Sequence, residues 1–187
     1  MIRRREQIST TVLDRARRGD REAFTVLIRH YDPGLRALAY RLLGDRERMD
    51  DALQEAYVKT FRALPTFRGD SSLGTWLYRI AYNACLDELD RTRGLHELPP
   101  LENPEPSDPR PDLAESVSVR EQLARALAQL TPVDRAAVLL VDAQGFDYRA
   151  AGEVLGVPSG TIASRLNRAR AVLRRALGKP TEEIARR

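Results

Sequence analysis

Six basic side chains crowd one run near the C-terminal end: Arg165, Arg168, Arg170, Arg174, Arg175 and Lys179, with no acid from Gly160 to Lys179. A solvated helix face usually alternates the sign of its charges so that i,i+4 pairs form. A one-signed run has no such partner within its own helix and favours an external polyanion. A solvated basic face and a protein-docking helix are the alternatives. If this helix enters a DNA groove, the residues at its start reach base edges. Those are Ser159, Gly160, Thr161, Ser164 and Arg165. Arg168 and Arg170, with Arg174 and Arg175, are placed for phosphates, which fix register without reading sequence.

A second constellation lies in the N-terminal half. Asp51, Gln54, Glu55 and Val58 lie away from the apolar stripe of their helix. Two carboxylates, an amide and one apolar group offer charge-assisted partners to a basic helix. Nothing resembles a catalytic centre. There is no Walker loop and no Ser/His/Asp or Cys/His arrangement, and the acidic pairs Asp50-Asp51 and Asp87-Glu88 sit on helices beside basic residues. The chain is read as a non-enzyme. One cysteine and two distant histidines (His30, His96) cannot form a zinc site of ordinary spacing, so no metal and no cofactor are expected. Cys85 reads as a small buried hydrophobe.

The elements that must hold these groups read as helices. Asp20 caps a helix from Arg21, with Ala23, Phe24, Leu27, Ile28 and Tyr31 as its stripe; Asp32-Pro33-Gly34 breaks or kinks it, and Leu35 to Leu42 resume it before Gly44. Further helices are expected over 47–64 and 72–91. In the last of these Trp76 shares the spacing of Ile80 and Ala84 and reads as core, while Tyr78 and Tyr82 could stack on bases or pack inside. From 98 to 111 the sequence is LPPLENPEPSDPRP, holding six of the 11 prolines. It cannot continue a helix or build a core. With its flanks it forms an acidic linker, either a spacer or a functional segment. Helices resume near Val117. Thr131-Pro132 caps one that ends at Gly145, Asp147 caps a short one to Leu155, Gly156 makes the turn, and Ser159 caps the last. Ile162, Leu166, Ala169, Leu173 and Leu177 face inward. Helix, glycine turn, helix is the helix-turn-helix arrangement.

Composition agrees. The chain has 187 residues, 42% hydrophobic and 6% aromatic, and is rich in Ala, Leu and Arg, which favours helices over sheets. The expected fold is all-α: two small helical domains, 10–95 and 117–178, joined by the linker 96–116. The net charge of +4 and a pI near 9.6 lean toward an anionic partner. No stretch approaches a membrane span and no secretory signal is seen, so a cytoplasmic protein without membrane insertion is expected.

Two motifs carry a resemblance. DDALQEAYVKTFRALPTFRGDSSLGTWLYRIAYNACLDELDR, residues 50–91, closely resembles region 2 of bacterial sigma factors, and more narrowly the extracytoplasmic-function group of the sigma-70 family. LGVPSGTIASRLNRAR resembles region 4 of the same group. The resemblance implies an alternative sigma factor that joins core RNA polymerase through the β′ coiled coil and the β flap. It implies recognition of two promoter elements, melting of promoter DNA, and control by an anti-sigma factor. Asp51, Gln54, Glu55 and Val58 would face the β′ coiled coil. The loop 66–75, with Phe67, Arg68, Gly69, Asp70 and Ser71, would hold a flipped base of the minus-ten element. Asn83 would bond a base edge, and Lys59, Arg62 and Arg79 would track the single strand. The helix-turn-helix would read the minus-thirty-five element. A freestanding helix-turn-helix regulator is the alternative; it leaves the N-terminal motif unexplained. The chain departs from the family pattern at three places. Ala151 stands for a larger apolar residue, Gly152 for the usual Ala, and Ala163 for the usual Lys or Arg early in the last helix.

Overall fold

The structure, a computed structural model, describes residues 8–93 and 113–178; most of the expected linker lies outside them. Among the described residues every element is helical. They are α1 (Thr10–Arg17), α2 (Arg21–Leu43), α3 (Arg46–Ala63), α4 (Leu73–Arg93), α5 (Leu113–Ala128), α6 (Pro132–Val138), α7 (Tyr148–Leu155) and α8 (Ser159–Leu177).

Local chemistry sets most helix starts. Asp20 Oδ1 accepts from the backbone N–H of Glu22 and Ala23, Asp45 Oδ1 from Arg48, Thr131 Oγ1 from Asp134, and Asp147 Oδ1 from Ala150. Each satisfies a donor that the first turn leaves orphaned. Gly44 and Gly156 end α2 and α7 in the left-handed region, at φ of 74° and 68°.

Several expectations change. Ser159 does not cap α8; it is the first helical residue, Pro158 precedes it, and no side chain caps the helix. Of the break or kink expected at Asp32-Pro33-Gly34, the break does not occur, and α2 runs through the segment as one helix. Pro33 is exposed, so water can satisfy the carbonyl that its missing N–H leaves free. Tyr57 Oη donates to Asp32 Oδ1 at 2.6 Å, and Arg36 Nε bonds both Asp32 oxygens at 3.1 Å, tying the segment to α3. α1 was not anticipated. Its Ala16 is buried and Arg17 reaches the carbonyl of Phe67 at 2.7 Å. α5 begins at Leu113, ahead of Val117, and α6 ends in a π-helical turn over Leu139–Ala143 before Gly145. Leu177 is 41% exposed and does not pack inward.

One hydrophobic core spans both helical blocks. Leu38, Leu42, Leu53 and Tyr78 of the first half share a buried cluster with Leu127, Leu140, Val154, Ile162 and Leu166 of the second. A smaller cluster, Ala16, Ala23, Leu27, Leu64 and Leu77, lies under Phe67 and Trp76. Tyr78 and Tyr82 are buried, as is Cys85, whose thiol burial pushes up to about 12. Across the seam Tyr78 Oη donates to Gln144 Oε1 at 2.9 Å, and its ring meets Phe146 edge-on.

The strongest polar tie is Arg135, 6% exposed. Its Nε donates to the Leu127 carbonyl, Nη2 to Ala128 and Leu130, and Nη1 to Arg41 and Leu42, at 2.9–3.3 Å. One guanidinium thus serves the carbonyl ends of α5 and α2 together.

Two stability predictions follow from this packing. Arg135→Ala takes the guanidinium donor from the buried ends of α2 and α5, leaving only the Leu127 carbonyl with a second donor, the Leu130 N–H, and it should cost about 3 kcal/mol or more in urea unfolding; a change within about 0.5 kcal/mol would contradict the assignment. A Cβ built on Gly152 lies 2.5 Å from the Val157 carbonyl oxygen. Gly152→Ala should therefore lower stability by about 1–3 kcal/mol, because the clash outweighs the roughly 1 kcal/mol helix-propensity gain. A rise in melting temperature would show that the turn relaxes freely.

Candidate nucleic-acid and polymerase interfaces

The outer face of α3 carries Asp51 and Gln54, both exposed, with Val58 44% exposed. Between α2 and α3 runs a groove of about 840 Å³ lined by Phe24, Gln54, Tyr57, Val58, Phe61 and Arg62 among others. It offers an amide and apolar surface beside the free carboxylate of Asp51. Glu55 differs from its neighbours. Lys59 Nζ stands 2.8 Å and Arg91 Nη2 3.6 Å from its oxygens. The Lys59 hydrogen bond, ahead of the two charges, holds the Glu55 carboxyl below the usual carboxylate range. Glu55 is already partnered, whereas Asp51 and Gln54 are not.

The loop between α3 and α4 is locally determined. Gly69 adopts φ of 82°, which favours glycine. Ser72 Oγ accepts from the backbone N–H of Thr75 at 3.0 Å and starts α4. Arg17 of α1 fixes the Phe67 carbonyl, a positioning contact that sequence reasoning missed because the two residues are 50 apart. These constraints gather Phe67, Arg68, Gly69, Asp70 and Ser71 with Trp76 and Arg79 around one cavity of about 200 Å³. The cavity is too small for a drug-sized ligand. Its walls offer an aromatic face, two guanidiniums, a carboxylate and a hydroxyl, the groups that stack on and bond a flat heterocycle. Trp76 is both packed and pocket-forming: its ring lies 5.0 Å from that of Phe67.

Three residues expected beside this loop stand apart from the cavity. Arg62 lines the α2–α3 groove. Lys59 is held between Glu55 and Asp87, the latter at 3.3 Å, which raises its pKa and leaves its charge matched by acids. Asn83 is exposed on α4 one turn beyond Arg79.

On α8, Ser159, Gly160 and Ser164 are exposed and Thr161 is half-buried; Ser164 Oγ donates to the Thr161 carbonyl at 2.9 Å. The one-signed run does find partners inside the protein, contrary to the reading of the helix alone. Arg165 is 25% exposed, and its Nη1 donates to Asp134 Oδ1 at 3.0 Å. Its Nε is buried without a hydrogen-bond partner. Arg170 makes a bidentate pair with Asp142 at 2.6 and 3.1 Å, which raises its pKa. Arg168 is 69% exposed and 3.9 Å from Asp134. Both acids come from α6 and its π turn, so no scan along α8 could have found them. Among the described residues no group of His, Cys, Asp and Glu could hold a metal ion, and no helix is long and apolar enough to cross a membrane.

Comparison with known proteins matches both blocks. Residues 27–94 match the family model Sigma-70 region 2, and residues 120–171 match Sigma-70, region 4. The chain is 41% identical over 160 residues to the ECF RNA polymerase sigma factor SigM of Mycobacterium tuberculosis, covering 86% of this chain and 80% of that one. It is 31% identical over 183 residues to the ECF RNA polymerase sigma-E factor of Escherichia coli, covering 88% and 92%. The solved sigma factor RpoE, in complex with the anti-sigma factor NepR, from Bartonella quintana superposes with a TM-score of 0.68 at 28% identity. That match covers 82% of this chain and 96% of that one.

The Asp134–Arg165 geometry makes a measurable distinction. Arg165→Ala should cost about 1–2 kcal/mol of unfolding free energy, since the pair is largely shielded from solvent. A side chain that serves only DNA would leave the urea midpoint of the free protein unchanged.

Proposed function

The chain belongs to the extracytoplasmic-function sigma factors of the sigma-70 family, and from that membership we propose a division of labour among its surfaces. Factors of this family are non-catalytic subunits that direct transcription initiation by RNA polymerase. The outer face of α3, through Asp51, Gln54 and Val58 with Glu55 at its edge, docks core polymerase at the β′ coiled coil. The helices of the C-terminal block meet the β flap. The cavity under the α3–α4 loop receives an unpaired base of the minus-ten element, with Asn83 and Arg79 along the path of the melted strand. The start of α8 enters the major groove of the minus-thirty-five element. An anti-sigma factor that covers these faces is the partner favoured by the likeness to RpoE, which was solved with one bound.

The observation that carries this reading is the cavity itself. Phe67, Arg68, Asp70, Ser71, Trp76 and Arg79 converge on a space suited to one heterocycle, on the same N-terminal block as the unpaired polar face of α3. Unstacking a base costs a few kcal/mol, and a pocket that stacks on and bonds the flipped base offsets that cost.

Two sets of variants separate the roles. Asp51→Ala combined with Gln54→Ala should weaken binding to core polymerase about tenfold or more in an anisotropy titration, with the melting temperature of the free protein unchanged. Asp70→Ala and Asn83→Ala should keep core affinity but reduce open-complex formation about tenfold, followed by permanganate reactivity of bubble thymines. Full core binding by the first pair would remove α3 from the interface. Normal melting by the second pair would remove the cavity from the mechanism.

A further inference from the structure

Arg165 is engaged within the protein and Ala163 carries no polar group, so the two strongest base-reading positions near the start of α8 are taken out of use. Ile162, Leu166 and Ala169 are buried and define the inward direction of the helix. At about 100° per residue, the side chains farthest from that direction are Gly160, Ser164, Ala171 and Arg175, with Asn167 and Arg168 flanking them on either side. Arg165 and Arg170 flank the buried stripe instead, which is why acids of α6 and its π turn can reach them. Of the outward residues, Asn167 alone has a planar side chain with both a donor and an acceptor. It is exposed, and its amide forms no hydrogen bond with any described residue. Its neighbours Gly160, Ala163 and Ser164 are short. A Cβ on Gly160 would meet nothing within 4 Å, so packing does not demand glycine there. The helix therefore presents a low surface from which one amide projects, with Arg168 beside it.

We propose that Asn167 is the principal base reader of α8, making a bidentate contact with the N6 and N7 edge of an adenine in the upstream promoter element, while Arg165 positions the helix by holding Asp134. This rests on the promoter-binding reading above. An amide of this geometry matches adenine in the major groove and no other base as well. Arg168, exposed beside it, contacts phosphate.

The test uses the full chain with core RNA polymerase and a promoter library randomised across the minus-thirty-five element, with bound and transcribed templates sequenced. Wild-type holoenzyme should prefer adenine at one position about tenfold over other bases. Asn167→Ala should flatten that position alone. Asn167→Asp, of the same shape, should lose adenine and gain cytosine there, since a carboxylate accepts from the cytosine amine. Arg168→Ala should weaken all sequences alike. An Asn167→Ala profile unchanged at every position would overturn the assignment of Asn167, as would loss of preference for a base other than adenine. A wild-type holoenzyme that binds core but shows no upstream preference would overturn the promoter-reading role of α8 itself, and this proposal with it.

Discussion

Two helices end against the same buried cation. The last turns of α2 and α5 each expose carbonyls that no residue further along the helix can satisfy. Both are directed at the guanidinium of Arg135, whose three nitrogens donate to four of them and to the Leu130 carbonyl just beyond α5. No carboxylate is among its hydrogen-bond partners. The negative ends of two helix dipoles take that place, and burial lowers the Arg135 pKa. The arrangement joins the blocks at a fixed point, because a planar five-donor fork tolerates little rotation. Tyr78 and Gln144 add a second point on α4, so the seam is fixed at two places.

The neighbour of Arg135 in sequence faces the other way. Asp134 holds Arg165 of α8, so two consecutive residues on one turn of α6 tie α8 on one side and the N-terminal block on the other. The π turn that follows continues the pattern: Asp142 pairs with Arg170, and Gln144 meets Tyr78. A wider turn shifts the side-chain phase of the helix, which lets one short element address two surfaces. Gly152 completes the geometry, since only a residue without Cβ lets α7 approach the Val157 carbonyl as closely as observed.

What could be read from the sequence was what is decided locally. Asp20, Thr131 and Asp147 cap helices because a carboxylate or hydroxyl two or three residues from an orphaned N–H needs no other information. Met49, Leu53, Ala56, Thr60 and Leu64 are buried as their spacing implies. The loop residues Phe67 to Ser71 and Arg79 were expected near one another and line one cavity. What could not be read was decided at a distance. Whether Pro33 broke or only kinked its helix was open because the contact of Asp32 with Tyr57 of α3 is 25 residues away. Nothing local to TPVDRAAV marks Arg135 as buried; the carbonyls it serves come from the ends of α2 and α5. The place of Arg165 beside the buried stripe of Ile162 and Leu166 follows from helical periodicity, whereas its partner Asp134 lies 31 residues away on another helix.

That internal pairing bears on how the protein can work. Phosphate affinity grows with the number of cations free to displace counterions. Of the arginines on α8, Arg165 and Arg170 already face acids, and Arg168 has one within 3.9 Å. Arg174 and Arg175 are exposed and pair with no carboxylate among the described residues. A helix with two of its five arginines matched by acids supplies a smaller nonspecific term than its composition suggests. Sequence reading through one amide then adds discrimination more than affinity. Such a reader becomes effective when another surface holds it near DNA and converts binding into a local event at high effective concentration. The unpaired face of α3 and the adjoining α2–α3 groove are suited to that tethering, which favours a polymerase subunit over a freestanding regulator on energetic grounds independent of kinship.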